Sequence, residues 1–156
     1  MFRAARFAVK TGKGRSSISP LNAVDEAMLN ASVGEFNLVK VSSILPKNID
    51  WSEEISEEHG DFLPAVISRA TGTNEELASG IAWGFEKRGS GGFVMEHSVK
   101  GEDIDKERFL DELKEKLRGM AEARGTSLES INMRYCTMEV GKDEYGCTMS
   151  VLVYLP

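Results

Sequence analysis

The stretch "NLVKVSSILP", Asn37 to Pro46, is a strand pattern that ends on two consecutive serines. Residues 36–42 alternate and are rich in Phe, Leu and Val, and Leu45-Pro46 stops the pattern three residues later. A hydroxyl costs free energy to bury unless it finds a partner. The pair therefore either ends the strand in solvent or has a task at the edge of the core, and the flanking sequence decides which.

Upstream, residues 2–9 read as a strand and "TGKGRSS", residues 11–17, as a loop of Gly, Lys and Ser. In "SPLNAVDEAMLNASVG", residues 19–34, Ser19 is an N-cap and Pro20 the first helical residue. Leu21, Val24, Met28 and Leu29 form the apolar stripe of that helix, and Gly34 follows its end. Downstream, Asp50 to Asp61 holds six acids and no Lys or Arg, the composition of an exposed loop or short helical turn. "FLPAVISRA" and "ASGIAWGF" are strands, the second alternating Ile81, Trp83 and Phe85 with small residues that permit close approach of another layer.

"KRGSGG" then turns into the strand "GFVMEHSV". The longest helix runs from about Asp103 to Arg124, with Phe109, Leu110, Leu113, Leu117 and Met120 on one face and Gly125 as its stop. Residues 131–140 and 147–155 read as a terminal hairpin carrying Cys136 and Cys147, which its register does not place opposite one another. Reduced thiols packed in a core are expected. Two helices and at least six strands without strict alternation predict an α+β layered sandwich.

At 156 residues and 41% hydrophobic content, the chain fits one domain, residues 1–156. Nineteen Lys and Arg against 25 Asp and Glu give a net charge of −6, which disfavours a nucleic-acid partner and suits a cationic small molecule. No apolar run reaches membrane-spanning length, and "MFRAARFAVK" lacks a signal-peptide core, so a cytoplasmic home is expected.

The glycine loops lack the spacing and the following helix that phosphate binding needs. Metal binding is not expected: Glu96 and His97 are strand neighbours that point to opposite faces, and two cysteines are too few for a zinc site. Two carboxylates stand out. Asp25 falls on or beside an apolar helix stripe, too far along the helix for its dipole to explain it. Glu96 stands among apolar neighbours, where a buried carboxyl becomes a usable acid. Spacing alone leaves an edge salt bridge open for Asp25 and an exposed strand face open for Glu96. Asn37 is in phase with Val39 and Val41, where a structural hydrogen bond is the plain alternative.

Taken together, "SPLNAVDEAMLNASVGEFNLVKVSSILP" resembles the amino-terminal region of pyruvoyl-dependent arginine decarboxylases, and the resemblance continues through "GDFLPA", "GGFVMEHSVKG" and the long helix. It implies self-cleavage between Ser42 and Ser43 into chains 1–42 and 43–156, with a pyruvoyl group formed from Ser43. Such a ketone condenses with a substrate's α-amine and accepts electrons while CO2 leaves. The resemblance also implies Glu96 as proton donor and Asn37 in processing or orientation. Asp25 would hold the guanidinium, with Leu21 and Met28 as pocket walls.

Further implications are a four-layer αββα sandwich and a trimer, or a pair of trimers, with sites between subunits. The product from arginine would be agmatine. Two rivals are a pyruvoyl decarboxylase of another amino acid and a non-cleaving paralogue with a structural or regulatory role. "DWSEEISEEHGD", residues 50–61, departs from the family pattern; it reads as a solvated surface or as a means of steering a cationic substrate.

Overall fold

In the computed structural model, which describes residues 1–156, the first strand runs straight through the glycines that suggested a loop. Strand β1, Arg6–Ser16, pairs along its whole length with the last strand of the chain, Tyr145–Leu155. Gly12 and Gly14 belong in β1 because helix α1, Pro20–Asn30, lies directly on them. A Cβ on Gly12 would stand 2.2 Å from the Ala27 carbonyl oxygen, and one on Gly14 2.1 Å from that of Ala23.

That close seat also decides which face α1 buries. Ala23, Val24 and Ala27 are buried, while Leu21 is 76% exposed and Leu29 and Asp25 are also exposed, so the stripe read from the bulky residues is not the packed one. Only small side chains fit where the backbone of a helix meets a glycine-bearing strand. Ser19 caps the helix by accepting from the Asn22 N–H at 3.1 Å. It ends on Ser32, not Gly34: Ser32 has φ 61°, and the Val33 N–H donates to the Met28 carbonyl at 2.9 Å.

The remaining elements are β2, Asn37–Lys40; β3, Ile44–Leu45; β4, Asp50–Trp51; β5, Phe62–Gly72; β6, Glu76–Phe85; β7, Gly92–Gly101; α2, Lys106–Glu122; β8, Asn132–Glu139; and β9, Tyr145–Leu155. They form a five-stranded sheet in the order β2-β5-β9-β1-β4 and a four-stranded sheet in the order β3-β7-β6-β8. Helix α1 packs on the first sheet around Ala8, Ala27, Val151 and Val153. Phe7, Val9, Leu45, Ile81, Val94 and Leu152 cluster where the two sheets meet, and α2 packs on the second sheet through Leu113 and Leu117 against Phe93.

The last two strands are not a hairpin. β8 pairs with β6 in one sheet, and β9 lies between β5 and β1 in the other. Every residue of β9 after Tyr145 is buried, so β9 needs cover on both faces and takes the centre of the larger sheet. Cys136 and Cys147 are free, buried thiols.

The acidic stretch is more than a solvated loop. After β4, which pairs in parallel with β1, Ile55 packs against the α1 cluster. Glu57 pairs with Arg6 at 2.8 Å with its side chain only 9% exposed, Lys10 donates to the Glu53 carbonyl, and Arg134 reaches the Glu53 carboxylate at 3.4 Å. Two of its six carboxylates, those of Glu57 and Glu53, pair with basic residues of β1 and β8. No helix is long and apolar enough to cross a membrane.

Candidate active site

Ser42 and Ser43 lie where the chain leaves one sheet and enters the other. β2 is the edge of the five-stranded sheet and β3 the edge of the four-stranded one. On the near side, the Val41 N–H donates to the Ala65 carbonyl of β5 at 3.0 Å; on the far side, the Ser43 carbonyl accepts from the Val94 N–H of β7 at 3.0 Å. Ser42 is exposed and Ser43 half-buried, and Leu45 two residues on is buried between the sheets. The bond between the serines is thus spanned by two anchors that belong to different sheets.

Glu96 is two residues along β7 from Val94, about 7 Å by strand rise. Val94 belongs to the cluster between the sheets and Met95 packs toward α2, so alternation puts Glu96 on the inter-sheet side, half-buried. The structure therefore brings Glu96 and Ser43 to the same edge. His97 points the other way: its Nε2 lies 2.9 Å from Glu112 and its ring stacks on Phe109 with centroids 5.0 Å apart. The hydrogen bonds from His97 and Arg108 hold the Glu112 carboxyl below the usual carboxylate value. His59 is exposed and pairs with Glu35 at 2.6 Å. No cluster of three or more His, Cys, Asp or Glu could hold a metal ion.

Asn37 is not beside Ser43 in the same chain. It stands opposite Phe62 in β5 and donates from Nδ2 to the Gly60 carbonyl at 2.8 Å. Ser68, six residues further along β5, bonds the His97 carbonyl, so Asn37 and the Glu96 region are separated by about 20 Å of strand. Asp25 and Leu21 are exposed and Met28 half-buried on α1, which packs chiefly on β1 and β9. The five-stranded sheet lies between them and the Ser43 edge.

The larger hollows of the surface also lie elsewhere. One of about 510 Å³ is lined by Phe7, Trp51, Trp83 and Arg134, at the edge of the sheets opposite β2 and β3. Two features were not legible in the sequence. The Val94 anchor is a backbone group, which no side chain reports. The other is an exposed apolar rim around the crossing, formed by Val39, Val41, Ile44 and Phe62. Its residues look like ordinary strand residues until the sheet edge is known.

The family model for pyruvoyl-dependent arginine decarboxylase (PvlArgDC) matches residues 6–156. The chain belongs to this family. Among curated relatives, the pyruvoyl-dependent arginine decarboxylase of Methanopyrus kandleri is 28% identical over 96% of this chain and 95% of its own length. Those of Pyrococcus furiosus and Methanothermobacter thermautotrophicus are 30% identical over 87% of this chain and 86% of theirs, and 31% identical over 86% and 87%. A solved pyruvoyl-dependent histidine decarboxylase matches with a TM-score of 0.53 at 15% identity, over 67% of this chain and 55% of that one. That last likeness is one of fold. The family is one of carboxy-lyases whose members are named for a pyruvoyl group.

Proposed function

We propose that this chain cleaves itself between Ser42 and Ser43 and then decarboxylates L-arginine to agmatine and CO2. The observation that carries the reading is the double anchoring of the crossing, with Glu96 on the same edge. A cut there leaves chain 1–42 held through β1, α1 and β2 and chain 43–156 held through both sheets, so one fold survives the break.

The cleavage needs only the chain itself and water. Ser43 Oγ attacks the Ser42 carbonyl carbon, the C–N bond breaks, and an ester replaces the amide with the residue-43 nitrogen freed. Loss of the residue-43 Cα proton expels the Ser42 carboxylate and leaves dehydroalanine. Its imine tautomer takes up water and releases ammonia, leaving a ketone. Cys or Thr could attempt the first step, but only Ser ends as pyruvoyl.

The site fits that group: the Val94 N–H fixes the residue-43 carbonyl beside the ketone position, and Glu96 faces the same side. Once formed, the ketone would supply an electrophile for the substrate amine and an electron sink for decarboxylation. Glu96 returns a proton to the substrate Cα as CO2 leaves. Asp25 accepts paired N–H bonds from the guanidinium, between Leu21 and Met28. Asn37 contributes orientation by tying the start of β2 to the Gly60 turn.

Asp25 and Ser43 do not meet within one chain, so this reading requires copies to meet. Each copy exposes two unlike apolar patches: Ile18, Leu21 and Leu29 around α1, and Val39, Val41, Ile44 and Phe62 around the crossing. A contact between unlike patches is head-to-tail, and where its rotation closes it makes a ring; a trimer or a pair of trimers is the assembly we propose.

The test is the intact mass of the purified protein under denaturing conditions, alongside Ser43→Ala. Wild type should give chains 1–42 and 43–156, the latter with a ketone in place of its amine. Ser43→Ala should remain a single chain of about 17.2 kDa and release no CO2 from arginine. An uncut wild type would overturn the reading in favour of a non-catalytic paralogue. Cleavage with turnover of lysine or histidine in place of arginine would overturn the substrate assignment alone.

A further inference from the structure

We propose that Tyr154 is a positioning residue of the cleavage site, its hydroxyl holding the Ile44 carbonyl so that residue 43 keeps its place before and after the chain is cut. This rests on the reading above.

β3 is two residues long and pairs with β7 only through Ile44 opposite Phe93 and Leu45 opposite Gly92. In an antiparallel ladder, successive carbonyls point to opposite sides of the strand. The Ser43 carbonyl points toward β7, where it accepts from Val94, so the Ile44 carbonyl points to the open edge. No strand lies beyond β3 in its sheet. The missing partner comes from the other sheet. Tyr154, on β9 at the centre of the five-stranded sheet, sends its ring through the inter-sheet cluster and donates from Oη to the Ile44 carbonyl at 2.8 Å.

A phenylalanine would fill the same apolar layer, so packing does not account for the hydroxyl. Burial pushes the phenol up to about 12, which keeps it a neutral donor throughout the working range. The hold matters most after cleavage. Residue 43 then begins a chain, and new chain ends fray unless they are tied down. Two hydrogen bonds remain on the first two carbonyls of that end, one from Val94 and one from Tyr154. With both made, the end cannot swing about β3, and residue 43 keeps its place beside β7.

The experiment uses the full-length protein and Tyr154→Phe, with Tyr145→Phe as a control that removes a partly exposed hydroxyl elsewhere. Cleavage is followed by intact mass after synthesis, and kcat and arginine KM are expressed per mole of residue-43 ketone. Amide exchange at Val94 is read in the same samples. Tyr154→Phe should cleave at least fivefold more slowly and lose at least fivefold in kcat, with KM within twofold and Val94 exchange at least tenfold faster. Tyr145→Phe should match wild type. Wild-type cleavage, kcat and Val94 exchange in Tyr154→Phe would overturn the assignment while leaving the function intact, as would an effect confined to KM. An uncut wild-type protein would overturn both.

Discussion

Helix α2 meets its sheet through Phe109, Leu113 and Leu117, whereas helix α1 meets its sheet through Ala23, Val24 and Ala27 and leaves Leu21 and Leu29 in solvent. The first is the ordinary way to attach a helix, with large side chains removed from water. The second gains little area per residue and relies on backbone approach, made possible by Gly12 and Gly14. What α1 gets in return is an outward row at helical spacing: Leu21, Asp25 and Leu29. A row that contributes nothing to its own core is free to serve a neighbour, the role the proposed head-to-tail assembly gives it.

The largest effect should come from closing the α1 seat. In Gly14→Ala the new methyl would overlap the Ala23 carbonyl, a backbone atom that cannot rotate away, so the helix must lift as a unit. We expect a loss of about 3 kcal/mol or more in urea unfolding. Near-wild-type stability would show that α1 is not held by close approach. Next comes Leu113→Ala in α2, a cavity under a fully buried side chain, with an expected cost of about 3 kcal/mol and no change in association. Asp25→Asn, on the outward row, should leave the melting temperature within error. It should raise arginine KM at least tenfold, about 1.4 kcal/mol of lost recognition. An unchanged KM would remove Asp25 from the substrate site and with it the purpose assigned to the row.

The same contrast explains what the sequence made legible. Six of the seven longer strands and both helices followed from alternation, caps and helical period, the first strand only over residues 6–9, and the α2 face was read nearly as it packs, because there large residues are the buried ones. The α1 face was misread for the converse reason: bulk marked the exposed side, and the glycines that set the geometry lay in another element and looked like a loop. The terminal hairpin failed because hairpin register is a local inference, and the full burial of β9 is a property of two layers. The candidates Ser42, Ser43 and Glu96 of the proposed site came from motif positions, and the proposed roles of Val94 and Tyr154 could not. The first works through its backbone, and the second reaches Ile44 across 110 positions of chain.

The effects of pH on stability have opposite signs on the two helix layers. Cys147 is buried under α1, where desolvation raises its thiol from 9.0 to about 11. A raised value means that the folded chain resists ionisation that the unfolded chain accepts. The associated stability is full below pH 9 and declines as pH rises toward 11. The melting temperature should fall across that window, and less steeply in Cys147→Ala.

Glu112 on α2 is lowered by the bonds from His97 and Arg108, so its contribution is present above its ordinary value of 4.5 and is lost as pH falls through the folded value. Glu112 is exposed to solvent screening, so this loss should be slight and should fade further in high salt. Glu112→Gln should flatten the acid limb and leave the alkaline limb alone. If instead the acid limb is unchanged in Glu112→Gln, the His97–Glu112 contact does not contribute to holding α2, and the apolar face of that helix must account for its attachment alone.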